Sequence, residues 1–214
     1  MTGLWIAIGL GTLALVGYVV LSLRKLSTPT KGAAIDRAVR PETALVVIDV
    51  QEDFTRSTGK HAFDPEKRDA ALAAISREIE ACRAAGHRIA FIRNIFQDWP
   101  VILAMKLVGG GVGTPGREGL KLDRTLDVQN APEFVKSIGD TFSNPDFETW
   151  LADKRVGRLI LVGLDTCHCV QLTARGALAR GYEVEIREPA TLTTTPDKWS
   201  AMRQDLATAG AALA

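Results

Sequence analysis

Hydrophobic residues fall into three patterns along the chain. The first is a single long run. From Leu4 to Leu23, LWIAIGLGTLALVGYVVLSL, only Thr12 and Ser22 are clearly polar, and no charge occurs among the first 23 residues. The second pattern is a set of short β-branched runs: TALVVIDV (43–50), HRIAFIRNIF (87–96) and VGRLILVGL (156–164). Such runs suit strands buried on both faces. YEVEIRE (182–188) is a further strand and EFVKS (133–137) a weaker one. The third pattern is helical. Leu72, Ile75, Ile79 and Cys82 recur at spacings of three, four and three within residues 64–86, and Gly86 closes the helix. This places Cys82 in the core. Residues 144–155, the segment from Cys169 to Gly181, and 195–213 also read as helices.

Strands alternating with helices predict β-α-β units. The expected fold is α/β, a three-layer α-β-α arrangement with a mainly parallel sheet and helices on both faces. One N-terminal transmembrane helix is expected before it. A helix of 20 residues spans roughly 30 Å, the thickness of a bilayer's hydrocarbon. A cleaved signal peptide is the rival, but the start MTGLW lacks a basic region and the apolar run is long. Trp5 sits near one end, where interfacial anchoring is expected. Arg24, Lys25, Lys31, Arg37 and Arg40 all follow the run. The positive-inside bias then sets the C-terminal body on the cytoplasmic side. Three segments result: an anchor (1–23), a basic linker (24–41) and a catalytic domain (42–214).

With 26 basic and 25 acidic residues the formal charge is +1, which gives no general attraction to nucleic acid. Three cysteines, two of them one residue apart, are not a disulfide framework.

In a parallel α/β sheet, sites form at the carboxyl ends of the strands. The first strand exits at Asp49 in DVQEDF, the 133–137 strand at Lys136, and the 156–164 strand at GLDTCHCV. Asp165 or Thr166 can cap the following helix, which puts Cys169 in its first turn. A helix start favours a thiolate, so a depressed thiol pKa is expected there. An acid, a lysine and a cysteine at one sheet edge supply a proton acceptor, a cation and a nucleophile. Read singly, Asp49 could be a cap and Lys136 a solvated surface residue.

The segments ALVVIDVQEDF, VKSIGDTFSNPDFETWL and LVGLDTCHCVQLTARGALARGYEVEI resemble the isochorismatase-like cysteine hydrolases, over residues 43 to about 210. The resemblance implies that Cys169, six residues after Gly163, is the nucleophile, and Cys167 is not. It implies Asp49 as acid/base and Lys136 as the third member of a triad. It also implies a cis peptide at Leu164–Asp165 and an oxyanion hole from the backbone N–H groups of Asp165 and Cys169. Phe54 matches a pocket wall, and Trp99 is a second candidate wall. The activity so implied is cleavage of a small amide through a thioester. A vinyl ether hydrolase and a membrane-tethered binding module on the same fold are the alternatives; Cys169 argues against the first and an intact triad against the second. Members of that family are commonly oligomeric, so a homo-oligomer is a partner to test for, beside a small-molecule substrate and the membrane.

No cofactor and no metal are expected. Nicotinamidases of the family carry an aspartate and histidines after the second strand, where this chain has FIRNIFQDWP with no histidine. Asp98 alone cannot make a metal site. Cys167, His168 and Cys169 point in different directions at a helix start and are rejected as zinc ligands. GVGTPG (111–116) is expected to be an ordered loop near the site mouth rather than a dinucleotide cradle. The preceding VILAMKLVGGG is a short hydrophobic helix or an interface patch. His61 and His87 have no partner visible in the sequence.

Overall fold

The structure is a computed structural model that describes residues 2–57 and 62–214, with side chains from Leu10 onward. His61 and the side chain of Trp5 lie outside the described residues. Among these residues, six strands form one sheet in the order β3-β2-β1-β4-β5-β6, with every pair of neighbours parallel. The strands are β1 (Glu42–Ile48), β2 (Arg88–Asn94), β3 (Glu133–Lys136), β4 (Val156–Leu164), β5 (Glu183–Leu192) and β6 (Ala212–Leu213). The chain runs outward from β1 to β3, returns to the other side of β1 at β4, and continues to β6. The direction of winding therefore reverses between β1 and β4, the position at which such sheets open a crevice beyond the strand ends.

The helices are α1 (Thr2–Lys25), α2 (Glu52–Thr55), α3 (Pro65–Ala84), α4 (Trp99–Val108), α5 (Pro145–Asp153), α6 (Gln171–Ala179) and α7 (Pro196–Thr208). Side chains of β1 alternate between two cores, as the period of two requires. Ala44, Val46 and Ile48 pack with Phe147 and Leu151 of α5, Ala174 of α6 and Leu206 of α7. Leu45 and Val47 pack with Leu72, Ile75 and Ile79 of α3 on the opposite face. Cys82 lies in this second core. Asp64 caps α3 by accepting the Lys67 N–H at 3.0 Å, and Asn144 caps α5 by accepting that of Asp146 at 2.8 Å.

One open choice closes in favour of a helix, and one element differs from the sequence reading. VILAMKLV belongs to α4, which begins two residues earlier at Trp99. The last helix stops at Thr208, and the tail turns back to add β6 beside β5.

Among the described residues, no helix is long and apolar enough to cross a membrane. α1 is nevertheless continuous over 24 residues, and Leu10, Leu13, Leu15, Val16, Val20, Leu21 and Leu23 are exposed along it. It packs against α4, with Tyr18 stacked on Trp99 at 6.3 Å.

The segment after α1 is a strap fastened to the body. Thr30 donates from its N–H and its hydroxyl to Oδ2 of buried Asp140, each at 2.7 Å. Buried Arg180 donates to the Thr30 carbonyl at 3.1 Å, and the Ile35 N–H donates to the Arg180 carbonyl at 2.8 Å. Gly32 lies against the Arg180 guanidinium, where a Cβ would overlap it.

At the end of β4, Gly163 has φ +112°, and a Cβ there would overlap the Ile48 carbonyl oxygen of β1. Gly163→Ala is expected to cost at least about 2 kcal/mol of unfolding free energy in a urea titration. A midpoint unchanged from the parent would contradict this close approach.

Candidate active site

Four strand ends supply the site. β1 and β4 are in register at Ile48 and Gly163, and β2 and β3 at Asn94 and Lys136. Asp49 follows β1 with φ 55°, a conformation uncommon for a residue with a Cβ. From the end of β3, two strands from β1, the Lys136 side chain reaches across Asn94. Its Nζ donates to Asp49 Oδ2 at 2.7 Å, to the Ile138 carbonyl at 3.1 Å and to Asn94 Oδ1 at 3.3 Å, and lies 3.3 Å from Cys169 Sγ. Both charged side chains are almost wholly buried. The structure thus brings Asp49, Lys136 and Cys169 together. Asp49 Oδ1 has no conventional hydrogen bond, so one acceptor position of this carboxylate remains open.

Cys169 stands in a π-helical turn, Thr166–Val170, that leads into α6. The Leu164–Asp165 peptide before it is cis. The turn is held from its own start. The N–H groups of His168 and Val170 both donate to the Asp165 carbonyl, at 3.0 and 3.1 Å. The Asp165 carboxylate accepts the Cys167 N–H at 2.8 Å and reaches over to the end of β5, accepting from the Thr193 hydroxyl at 2.7 Å and the Thr194 N–H at 2.9 Å. The three consecutive side chains diverge. Cys167 is buried with its thiol against the Thr195 carbonyl, His168 is exposed, and Cys169 lines the cavity.

Burial raises the Asp49 carboxyl above the ordinary carboxylate range, and Lys136 opposes that rise. Burial alone would lower Lys136, but the charges of Asp49 and of a Cys169 thiolate outweigh it and hold the amine above its usual value. The expectation of a depressed thiol is corrected. Burial, reinforced by the Asp49 carboxylate, pushes Cys169 up to about 12, with Lys136 pulling the other way. The sulfur thus stands beside a carboxylate that raises its pKa and an ammonium that lowers it.

The cavity over Cys169 has a volume of about 170 Å³. Phe54, Phe63, Phe96, Met105, Val112 and Leu164 form apolar walls, and Asp49, Asn94, Asp165 and Thr194 supply polar groups. Phe54 therefore stands where expected. Trp99 does not, and this is a second correction: it is 49% exposed on the outside of α4, stacked on Tyr18, and it is Met105 of the same helix that reaches the cavity. Val112, in the GVGTPG segment, also lines it. That segment is fixed by Asp53, which accepts the Gly113 N–H at 2.7 Å and pairs with Arg117 at 2.6 Å. Asn94 was not singled out by sequence, and Gln51 only as part of DVQEDF. Gln51 ties the ends of β1 and β2, accepting the Asn94 N–H at 2.6 Å and donating to the Leu120 carbonyl at 2.9 Å. Among the described residues, no cluster of histidine, cysteine and carboxylate side chains could hold a metal ion. His87 is a half-buried turn residue between α3 and β2.

Residues 43–214 match the Isochorismatase domain, and the chain belongs to that family. It is a hydrolase of the isochorismatase-like type. It is 26% identical over 157 residues to the uncharacterized isochorismatase family protein YddQ of Bacillus subtilis, covering 72% of this chain and 79% of that one. It is 27% identical over 178 residues to the ureidoacrylate amidohydrolase RutB of Azorhizobium caulinodans, covering 73% and 78%. The pyrazinamidase/nicotinamidase of Streptococcus mutans shares the fold, with a TM-score of 0.69 at 22% identity over 81% of this chain and all of that one.

Lys136→Ala leaves the Asp49 carboxylate buried without its counter-charge and is expected to cost about 3–5 kcal/mol at neutral pH. A carboxyl raised in the folded state binds its proton more tightly there than in the unfolded chain. Stability attributable to it is present at low pH and is lost as pH rises from the ordinary value of 3.8 through the raised one. The Lys136→Ala deficit should therefore shrink as pH falls through that window in denaturant titrations. A deficit independent of pH would contradict the pairing.

Proposed function

We propose that the protein hydrolyses a small-molecule amide through a thioester on Cys169, with Asp49 as general acid/base and Lys136 as the cation that holds it. The observation that carries this reading is Lys136 Nζ in contact with both Asp49 Oδ2 and Cys169 Sγ, two groups that line an apolar cavity. As Sγ attacks the amide carbon, its proton passes to Asp49 and a tetrahedral oxyanion forms. The backbone N–H groups of Asp165 and Cys169 are assigned to that oxyanion. Asp49 gives the proton to the departing nitrogen as the C–N bond breaks, leaving an acyl thioester and a free amine. Asp49 then takes a proton from water, the hydroxide adds to the thioester, and the proton returns to sulfur as the acid leaves. Lys136 opposes the rise that burial gives the Asp49 carboxyl. The RutB likeness supports an amide over a vinyl ether as the bond cleaved. Contact of Asp49 and Cys169 with an open cavity, with Lys136 Nζ touching both, favours a catalyst over a binding module.

In the same reading α1 attaches the chain to a membrane, with the body on the cytoplasmic side. The uncharged run before Arg24 and the basic residues after it support this.

A panel of small amides assayed with Cys169→Ala and Asp49→Asn tests the mechanism. Each variant is expected to lose at least about 10³-fold in kcat/KM while remaining folded. For the parent enzyme, kcat/KM should fall as pH drops through the raised Asp49 pKa, because the base is then protonated. Full activity in either variant would refute the assignment.

A further inference from the structure

α4 is apolar on two opposite sides. Pro100 and Val101 are buried and Met105 lines the cavity over Cys169. Trp99, Leu103, Leu107 and Val108 face outward, at 49%, 49%, 75% and 75% exposure. Four large apolar side chains on one short helix form a patch that a water-facing surface does not ordinarily keep. The only charge on α4 is Lys106, which is exposed. The patch continues onto the exposed apolar side of α1 through the Tyr18–Trp99 stack.

The geometry of that stack sets a depth. Tyr18 precedes Leu23, the end of the apolar run, by five residues, or about 8 Å along a helix. Interfacial helices bury their apolar face about 5–10 Å into the boundary between headgroups and acyl chains. If α1 is the membrane attachment, the strap at Thr30, Asp140 and Arg180 holds the body so that α4 meets this zone. Exposed Arg24, Lys25 and Lys31 beyond the apolar run, and Lys106 on α4, suit anionic headgroups. The outward end of α4 also leads toward the site. Val108, Gly109 and Gly110 line an outer cavity that shares Ser57 and Val112 with the cavity over Cys169.

We propose that the outer face of α4 docks into the acyl–headgroup boundary of the bilayer, and that the site draws from it an amide with an apolar tail dissolved in the membrane. This deepens the amidohydrolase reading and rests on it, and on α1 as the attachment. The hydrolysis is the one already written: water is the co-reactant, and the products are a carboxylic acid and an amine.

The test uses the full chain reconstituted in vesicles of equal parts phosphatidylcholine and phosphatidylglycerol, with brominated acyl chains as the fluorescence quencher. Bromolipid should quench Trp99, so Trp99→Phe should remove a measurable share of the quenchable emission. In parallel, kcat/KM is measured on butanamide and dodecanamide for the parent and for Leu103→Gln/Leu107→Gln. The parent should favour dodecanamide by at least about tenfold, since each buried methylene adds to transfer from water. The double variant should lose that preference while its rate on butanamide stays within about twofold. An unchanged quenched fraction in Trp99→Phe overturns docking. If, in addition, the chain is a dimer that the double variant makes monomeric, the face belongs to a second copy. Equal use of both amides by the parent overturns the substrate class. If neither amide is cleaved while quenching of Trp99 persists, the amidohydrolase reading fails and docking stands.

Discussion

The structure depends on one buried ion pair. Lys136 and Asp49 meet at 2.7 Å with almost no exposure, and the same ammonium touches the sulfur of Cys169. Neither charge could be kept there alone, since burying an isolated ion costs several kcal/mol that only a partner and further hydrogen bonds offset. The surrounding fold provides them. Parallel register aligns the ends of β2 and β3, Asn94 and the Ile138 carbonyl complete the shell of Nζ, and Gln51 ties the ends of β1 and β2. Reversal of winding beside β1 opens the space above them.

The same burial explains why the thiol is not ionised in the resting site. A helix start and a lysine favour thiolate, but enclosure and the Asp49 carboxylate outweigh them and raise Cys169 to about 12. In the proposed mechanism such a thiol gives its proton to Asp49 as it attacks.

Much of this was legible in the sequence because buried parallel strands write themselves as β-branched runs. TALVVIDV (43–50) and Val156–Leu164 are such runs, and the exits at Asp49 and Cys169 followed from them, while the weaker strand at 133–137 gave Lys136. Other features carry no local signature. β6 is two residues in an alanine-rich tail and exists only because β5 offers an edge. Asn94 is an ordinary strand-end residue until Lys136 passes over it. Trp99 was read as a candidate wall, with a buried structural tryptophan as the equal alternative. Which side of α4 faces the cavity is set by tertiary packing, and that side holds Met105. The sequence also showed where the thiol stands on its helix but not the balance around it, with burial and the Asp49 carboxylate on one side and Lys136 on the other.

The central claim is that Cys169 carries the acyl group during turnover. Rapid acid quenching during hydrolysis of a cleaved amide, followed by mass spectrometry of the peptide containing Cys169, tests it most directly. The account predicts an adduct of the acyl mass on Cys169, absent from Cys82 and Cys167, and not formed by Asp49→Asn, which cannot take the proton from sulfur. Turnover that proceeds with Cys169 unmodified throughout, or that survives Cys169→Ala, would contradict it.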